Sequence, residues 1–160
     1  MDERPLTDDL HEFLKSLTRN DVAFMLVGGY AVALHGFPRA TADMDIWIDT
    51  DPANVERVLS ALRDFGFAPD ADAASALRTP GKVLRMGYPP ARIELLTAPA
   101  GVEFSACMGR AEIHEALGVR VPTIGLDDLV ANKRAAGRPK DLIDAAELER
   151  IRRAAGKRDG

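Results

Sequence analysis

The chain has 160 residues, 46% of them hydrophobic and 29% charged, which is enough for one domain with a core that needs no disulfide or metal staple. A formal net charge of −4 argues against a protein that coats nucleic acid or an anionic membrane through bulk positive charge. The lone Cys107 excludes an intrachain disulfide framework or a cysteine zinc cage.

No apolar run is long enough to cross a bilayer, and the charged stretch Met1–Phe13 lacks the apolar region of a secretory signal. A cytoplasmic protein with no membrane partner is therefore expected. The charge is unevenly spread. Residues 1–130 hold 12 basic and 20 acidic side chains, a balance of −8, whereas residues 131–160 hold 9 and 5, a balance of +4. The sequence describes an acidic body with a basic C-terminal segment.

In chain order, residues 7–18 predict an amphipathic helix, with Thr7 as N-cap, Asp8 and Asp9 in the first turn, and Leu10, Phe13, Leu14 and Leu17 at helical spacing. The apolar run 23–27 predicts a buried strand that stops at Gly28-Gly29, and Tyr30 to Leu34 a short helix. Met44 to Ile48 alternates apolar and acidic residues and predicts a second strand. Asp51-Pro52 is an N-cap with proline at the first helical position, followed by the stripe Val55, Val58, Leu59 and Leu62 up to Gly66.

Residues 68–81 read as loop with at most one helical turn. Residues 82–88 and 92–97 predict two strands joined at Pro89-Pro90. The stretch 102–109 is ambiguous, and 111–116 with 119–121 predict a hairpin around Gly118. Two helices follow, 126–136 and 139–153, separated by Gly137, with fraying from 154. Strands and helices mix without strict alternation, so the fold class is α+β (mixed α/β) in a single domain 1–160, with a core of about 7–125 and a C-terminal helical segment of about 126–153.

One constellation carries chemistry. Gly28-Gly29 is followed, thirteen residues on, by Asp43-Met44-Asp45. Alternate residues of a strand share a face, so Asp43 and Asp45 place two carboxylates side by side, an arrangement that is costly unless a cation sits between them. Oxygen-only ligands select a hard ion, Mg²⁺ or Mn²⁺. Glycines between a strand and a helix let backbone N–H groups approach phosphate. Glu94 interrupts the apolar strand Ile93-Glu94-Leu95 and needs a metal, a cation or a hydrogen-bonding network. A phosphate site beside a carboxylate metal site is the equipment of phosphoryl or nucleotidyl transfer.

The set Gly28-Gly29, Asp43-Met44-Asp45 and Ile93-Glu94-Leu95 resembles the signature of the DNA polymerase β-like nucleotidyltransferase superfamily. Within it, Arg39-Ala40-Thr41-Ala42-Asp43-Met44-Asp45, Lys133 and the run Arg138 to Asp144 are similar to motifs of the abortive-infection and type IV toxin–antitoxin nucleotidyltransferase toxins. The resemblance implies a mixed sheet backed by helices, with metal-binding acids on adjacent strands. Asp43, Asp45 and Glu94 would be the catalytic, metal-holding acids. Gly28, Gly29, Arg39, Thr41, Lys133 and Asp141 would serve the nucleotide, with Lys133 neutralising phosphate and Asp141 orienting the nucleotide or Lys133.

The implied reaction moves NMP from an NTP to a hydroxyl, with pyrophosphate leaving. The acceptor is RNA in a toxin. In an antibiotic- or protein-modifying relative it is a small molecule or a protein hydroxyl, and a non-catalytic nucleotide- or partner-binding module would keep the same fold. A cognate antitoxin or a homodimer is the protein partner this resemblance suggests. Two departures stand out: Gly29 falls where many members carry serine, and Glu94 where many carry aspartate.

Other residues read more simply. His35 is expected to end a helix, and His11 and His114 have no metal-ligand spacing. Trp47 and Cys107 belong to the core, Asp49 and Asp51 to turns and caps, and Arg138 and Lys140 to solvent.

Overall fold

A computed structural model describes residues 6–38, 41, 43–87 and 92–159, with side chains described from residue 9 to residue 156 of these. The elements are α1 (Leu6–Arg19), β1 (Phe24–Val27), α2 (Gly28–Leu34), β2 (Asp43–Ile48), α3 (Pro52–Phe65), α4 (Ala71–Arg78), β3 (Val83–Met86), β4 (Arg92–Leu96), α5 (Phe104–Gly109), β5 (Glu112–Ala116), β6 (Val119–Thr123), α6 (Leu126–Ala136) and α7 (Pro139–Asp159). They form the expected α+β architecture. One six-stranded mixed sheet runs β3-β4-β2-β1-β6-β5. β2 is antiparallel to β1 and parallel to β4. β6 runs parallel to β1 and antiparallel to β5, and β3 runs antiparallel to β4.

The period-two alternation of the inner strands decides which helices cover which face. Phe24, Leu26, Met44, Ile46, Ile48, Ile93 and Leu95 enter a core shared with Leu10, Phe13, Leu14 and Leu17 of α1 and the Val55–Leu62 stripe of α3. Met25, Val27 and Trp47 point the other way, into a second core with Leu129 and Val130 of α6 and Ala145 and Leu148 of α7. Trp47 meets Phe104 edge-on at 5.2 Å. By the same alternation Asp43, Asp45 and Glu94 lie on the second face, the one covered by the C-terminal helices.

Several local expectations shift. The short helix begins at Gly28 rather than Tyr30, so both glycines lie in its first turn. Within 68–81, residues 71–78 form a helix of two turns: Asp70 caps α4 by accepting from Ala73 N at 2.8 Å, and Ala73 and Leu77 bury one face. The ambiguous stretch 102–109 holds α5, whose cap is Glu103 accepting from Ser105 N and Ala106 N. α7 continues to Asp159 instead of fraying at 154. The hairpin around Gly118 and the Asp51-Pro52 helix start are as expected. α1 begins at Leu6, so Thr7 falls inside the helix rather than at its N-cap; the Pro89-Pro90 turn lies outside the described residues. No helix among the described residues is long and apolar enough to cross a membrane.

Candidate active site

Register brings the acids together. β1 and β2 pair Val27 with Asp45, β2 and β4 pair Asp45 with Glu94 and Asp43 with Arg92, and β3 and β4 pair Arg85 with Glu94. β1 leaves the sheet at Val27, so α2 begins directly beside Asp45.

Gly28 turns the chain there with φ +66°, and a Cβ on it would overlap Asp45 Oδ2 and come within 2.9 Å of Asp45 Cβ and Cγ. A Cβ on Gly29 would sit 2.8 Å from Thr41 Oγ1. Thr41 Oγ1 in turn donates to the Asp43 carbonyl at 3.0 Å, so Thr41 braces the entry to β2 against the α2 turn. Arg39 lies outside the described residues.

The three acids have different surroundings. Asp43 is gripped through both oxygens by Arg92, at 2.7 Å from Nε and 3.0 Å from Nη2, and this pairing holds its carboxyl below the usual range. Glu94 accepts from Arg85 Nε at 3.0 Å and lies 3.7 Å from Arg92 Nε. Among the described residues, no cation pairs with Asp45 in this way. Its carboxyl is raised to about 7, first by burial, then by the Glu94 charge, a hydrogen bond shared with Glu94 and the Asp43 charge, while Lys133 pulls it down. Asp45 Oδ1 is buried with no hydrogen-bond partner among the described residues.

An orphaned buried oxygen, on one of two like-charged acids at paired positions, fits a site for a hard divalent cation. Asp43, Asp45 and Glu94 are the residues that would hold it.

A cavity of about 160 Å³ opens between this end of the sheet and the C-terminal helices, with Gly28, Asp45, Asn132, Lys133, Arg138 and Asp141 in its wall. Lys133 of α6 is buried, with Nζ 3.1 Å from Asp144 Oδ2 and 3.5 Å from Asp141 Oδ1. Asp141 has two further duties at the start of α7. Its Oδ2 accepts from the Arg138 backbone N at 3.2 Å, closing the first turn, and from Arg138 Nε at 2.7 Å. Burial pushes its carboxyl up, but Arg138 and Lys133 more than offset this and leave it below the usual range.

Four of the expected residues, Gly28, Asp45, Lys133 and Asp141, thus share one cavity, with Asp43 and Glu94 beside Asp45 on the sheet. Two contributors were underrated by sequence. Arg138, expected in solvent, is paired with Asp141 at the cavity wall, and Asp144 is a buried partner of Lys133. The signal was available: Asp141 and Asp144 are three apart on a helix and so share a face. Arg92, adjacent to an apolar run, became visible as a partner of Asp43 only through strand pairing.

The architecture is that of the nucleotidyltransferase fold. Residues 9–85 match the family model described as aminoglycoside-2''-adenylyltransferase, a span that contains Gly28, Gly29, Asp43 and Asp45 and ends before Glu94. Among solved structures, the chain superposes with TM-score 0.55 on one titled "Crystal Structure of ANT(2")-Ia in complex with adenylyl-2"-tobramycin". The identity is 12%, over 96% of this chain and 98% of that one, so the likeness is one of fold. No curated protein matches.

Proposed function

We propose that this nucleotidyltransferase moves an adenylyl group from ATP to a hydroxyl of a small polycationic acceptor of the aminoglycoside kind. The observation that carries the transfer reading is the Asp45–Glu94 pair, whose Asp45 sits against the Gly28 turn and lines the cavity that holds Lys133. The choice of acceptor is supported by the family model over residues 9–85, by the adenylyl-aminoglycoside named with the similar structure, and by the acidic body of the chain. Neither comparison points to the toxin–antitoxin group or to RNA.

In this reading the triphosphate lies with its anionic oxygens toward the N–H groups of the α2 turn and toward Lys133 Nζ, which Asp141 and Asp144 hold in place. A divalent ion held by Asp43, Asp45 and Glu94 would neutralise triphosphate charge when bound. The acceptor oxygen attacks the α-phosphorus in line; the new O–P bond forms as the bond to pyrophosphate breaks, and Glu94 takes the hydroxyl proton. Arg92 and Arg85 hold Asp43 and Glu94 in place. Thr41 positions the β2 entry through its bond to the Asp43 carbonyl.

The test is incubation of the full chain with Mg²⁺, each of the four NTPs and a panel of aminoglycosides, followed by mass spectrometry. The expected product is heavier by one AMP. Transfer to RNA and to no aminoglycoside would sink the acceptor assignment, and absence of NTP binding by calorimetry would sink the transfer assignment.

A further inference from the structure

A second cluster of ligating groups lies away from the acids, at the far end of α2 and the β5 edge of the sheet. His35 caps the C-terminus of α2, and Glu112 and His114 alternate on β5, which places them on one face of the strand. One ring nitrogen of His35, one of His114 and a carboxylate oxygen of Glu112 all lie within 4.8 Å of one another. The two rings meet edge to face with centroids 5.3 Å apart, and His35 Nε2 is 3.8 Å from Glu112 Oε2. The His35 side chain is only 6% exposed, and the same Nε2 donates to the Ile124 carbonyl at 2.7 Å, which leaves Nδ1 as the His35 nitrogen free to ligate. His114 Nε2 is buried and has no hydrogen-bond partner among the described residues.

Hydrogen bonding alone leaves this arrangement incomplete, because a buried imidazole nitrogen is left unpaired. We propose that His35, Glu112 and His114 form a transition-metal site, of the zinc type, that ties the end of α2 to the edge strand. The ligand chemistry separates it from the acids. Two imidazoles and one carboxylate suit Zn²⁺ and its neighbours, whereas oxygen-only acids suit Mg²⁺. Three protein ligands leave one position of a four-coordinate ion for water. The backbone carbonyl against His35 is the kind of support that ligating histidines use. Sequence spacing hides the site, because His35 stands 77 positions from Glu112 and reaches it only when β6 pairs with β1 and β5 with β6.

The experiment is titration of the metal-free full chain with Zn²⁺ and Co²⁺ at pH 8 in excess Mg²⁺, followed by calorimetry, Co²⁺ absorption and thermal melting. Wild type and Asp45→Asn are expected to bind one ion equally and to melt higher with zinc. His114→Gln and Glu112→Gln are expected to bind at least about tenfold more weakly and to lose the zinc-dependent rise in Tm, while Mg²⁺-dependent transfer is unchanged. The proposal is overturned if wild type binds neither ion, if the His114 and Glu112 variants bind as well as wild type, or if Asp45→Asn removes the site. Circular dichroism of each variant separates loss of the site from loss of fold.

Discussion

Arg92 holds Asp43 by a two-pronged ion pair, Nε to Oδ1 at 2.7 Å and Nη2 to Oδ2 at 3.0 Å. Its Nε also lies 3.7 Å from Glu94. In the metal-free chain a guanidinium therefore stands against two of the three acids proposed to hold the divalent ion, and the two cations compete. Arg92→Gln is expected to tighten Mn²⁺ binding without nucleotide by about tenfold, roughly 1.4 kcal/mol. Calorimetry and Mn²⁺ spin resonance measure this directly, and an unchanged or weaker affinity refutes the competition. The pH dependence has a defined sign. The Asp43 carboxyl is lowered on folding, so its contribution to stability is present above the unfolded value of 3.8 and is lost as pH falls through the folded value. The stability gap between wild type and Arg92→Gln is expected to narrow as pH falls below 3.8.

Asp45 is the opposite case. Its carboxyl rises from 3.8 to about 7 on folding, so the metal-free protein loses stability as pH rises through that window. Asp45→Asn removes the penalty. Without divalent ions the variant is expected to match wild type near pH 4 and to be more stable at pH 7.5, by an amount on the order of a few kcal/mol. The same variant is expected to lose Mn²⁺ binding and at least about a thousandfold in transfer rate, roughly 4 kcal/mol of barrier. Denaturant melts across pH, with and without Mg²⁺, check the first part. A variant no more stable than wild type at pH 7.5 would remove the reading of Asp45 as a strained, empty ligand.

Gly28 has φ +66° and no room for a side chain against Asp45. Gly28→Ala adds a backbone cost of about 1–2 kcal/mol to a collision with the Asp45 carboxylate. Weakened Mn²⁺ and NTP binding is expected alongside the lower Tm. Loss of Tm with unchanged ion affinity would confine the glycine to a structural role.

Gly29 tests the serine departure. A Cβ there meets Thr41 Oγ1 at 2.8 Å, so Gly29→Ser alone is expected to displace Thr41 and reduce transfer. Gly29→Ser combined with Thr41→Ala is expected to recover most of the activity. A single variant as active as wild type would show that Thr41 yields freely.

Lys133 lies buried between Asp141 and Asp144. Lys133→Ala removes the buried cation that Asp141 and Asp144 share, with Asp141 keeping its Arg138 partner, and a loss of about 3–5 kcal/mol is expected in urea unfolding. At temperatures where the variant remains folded, KM for the NTP is expected to rise. An unaltered KM would assign Lys133 to holding α6 and α7 together and to nothing more.

Much of this was legible in the chain itself. The apolar run 23–27 and the alternation of 44–48 define strands because a buried strand must be apolar on every covered face. The Gly28-Gly29 and Asp43-x-Asp45 spacing locates the acids because alternation along a strand is a local property. Asp51-Pro52 marks a helix start for the same reason. The misreadings were local too: in 68–81 a capped helix of small residues resembles loop, since alanine and aspartate carry little apolar signal and Ala73 and Leu77 supply the stripe only once α4 packs.

What only tertiary structure decided is which charges meet. Strand order puts Glu94 beside Asp45 and Arg92 beside Asp43, across 49 residues of chain, and the α6–α7 crossing buries Lys133 between Asp141 and Asp144. Residue types and short spacings are read along one dimension. The desolvation that raises Asp45 and the pairing that lowers Asp43 depend on distances across the sheet, which no spacing encodes. The acidic body and basic C-terminal segment are properties of the sequence; the placement of Lys133 and Arg138 from that segment at the wall of a cavity containing Asp45 is a property of the fold.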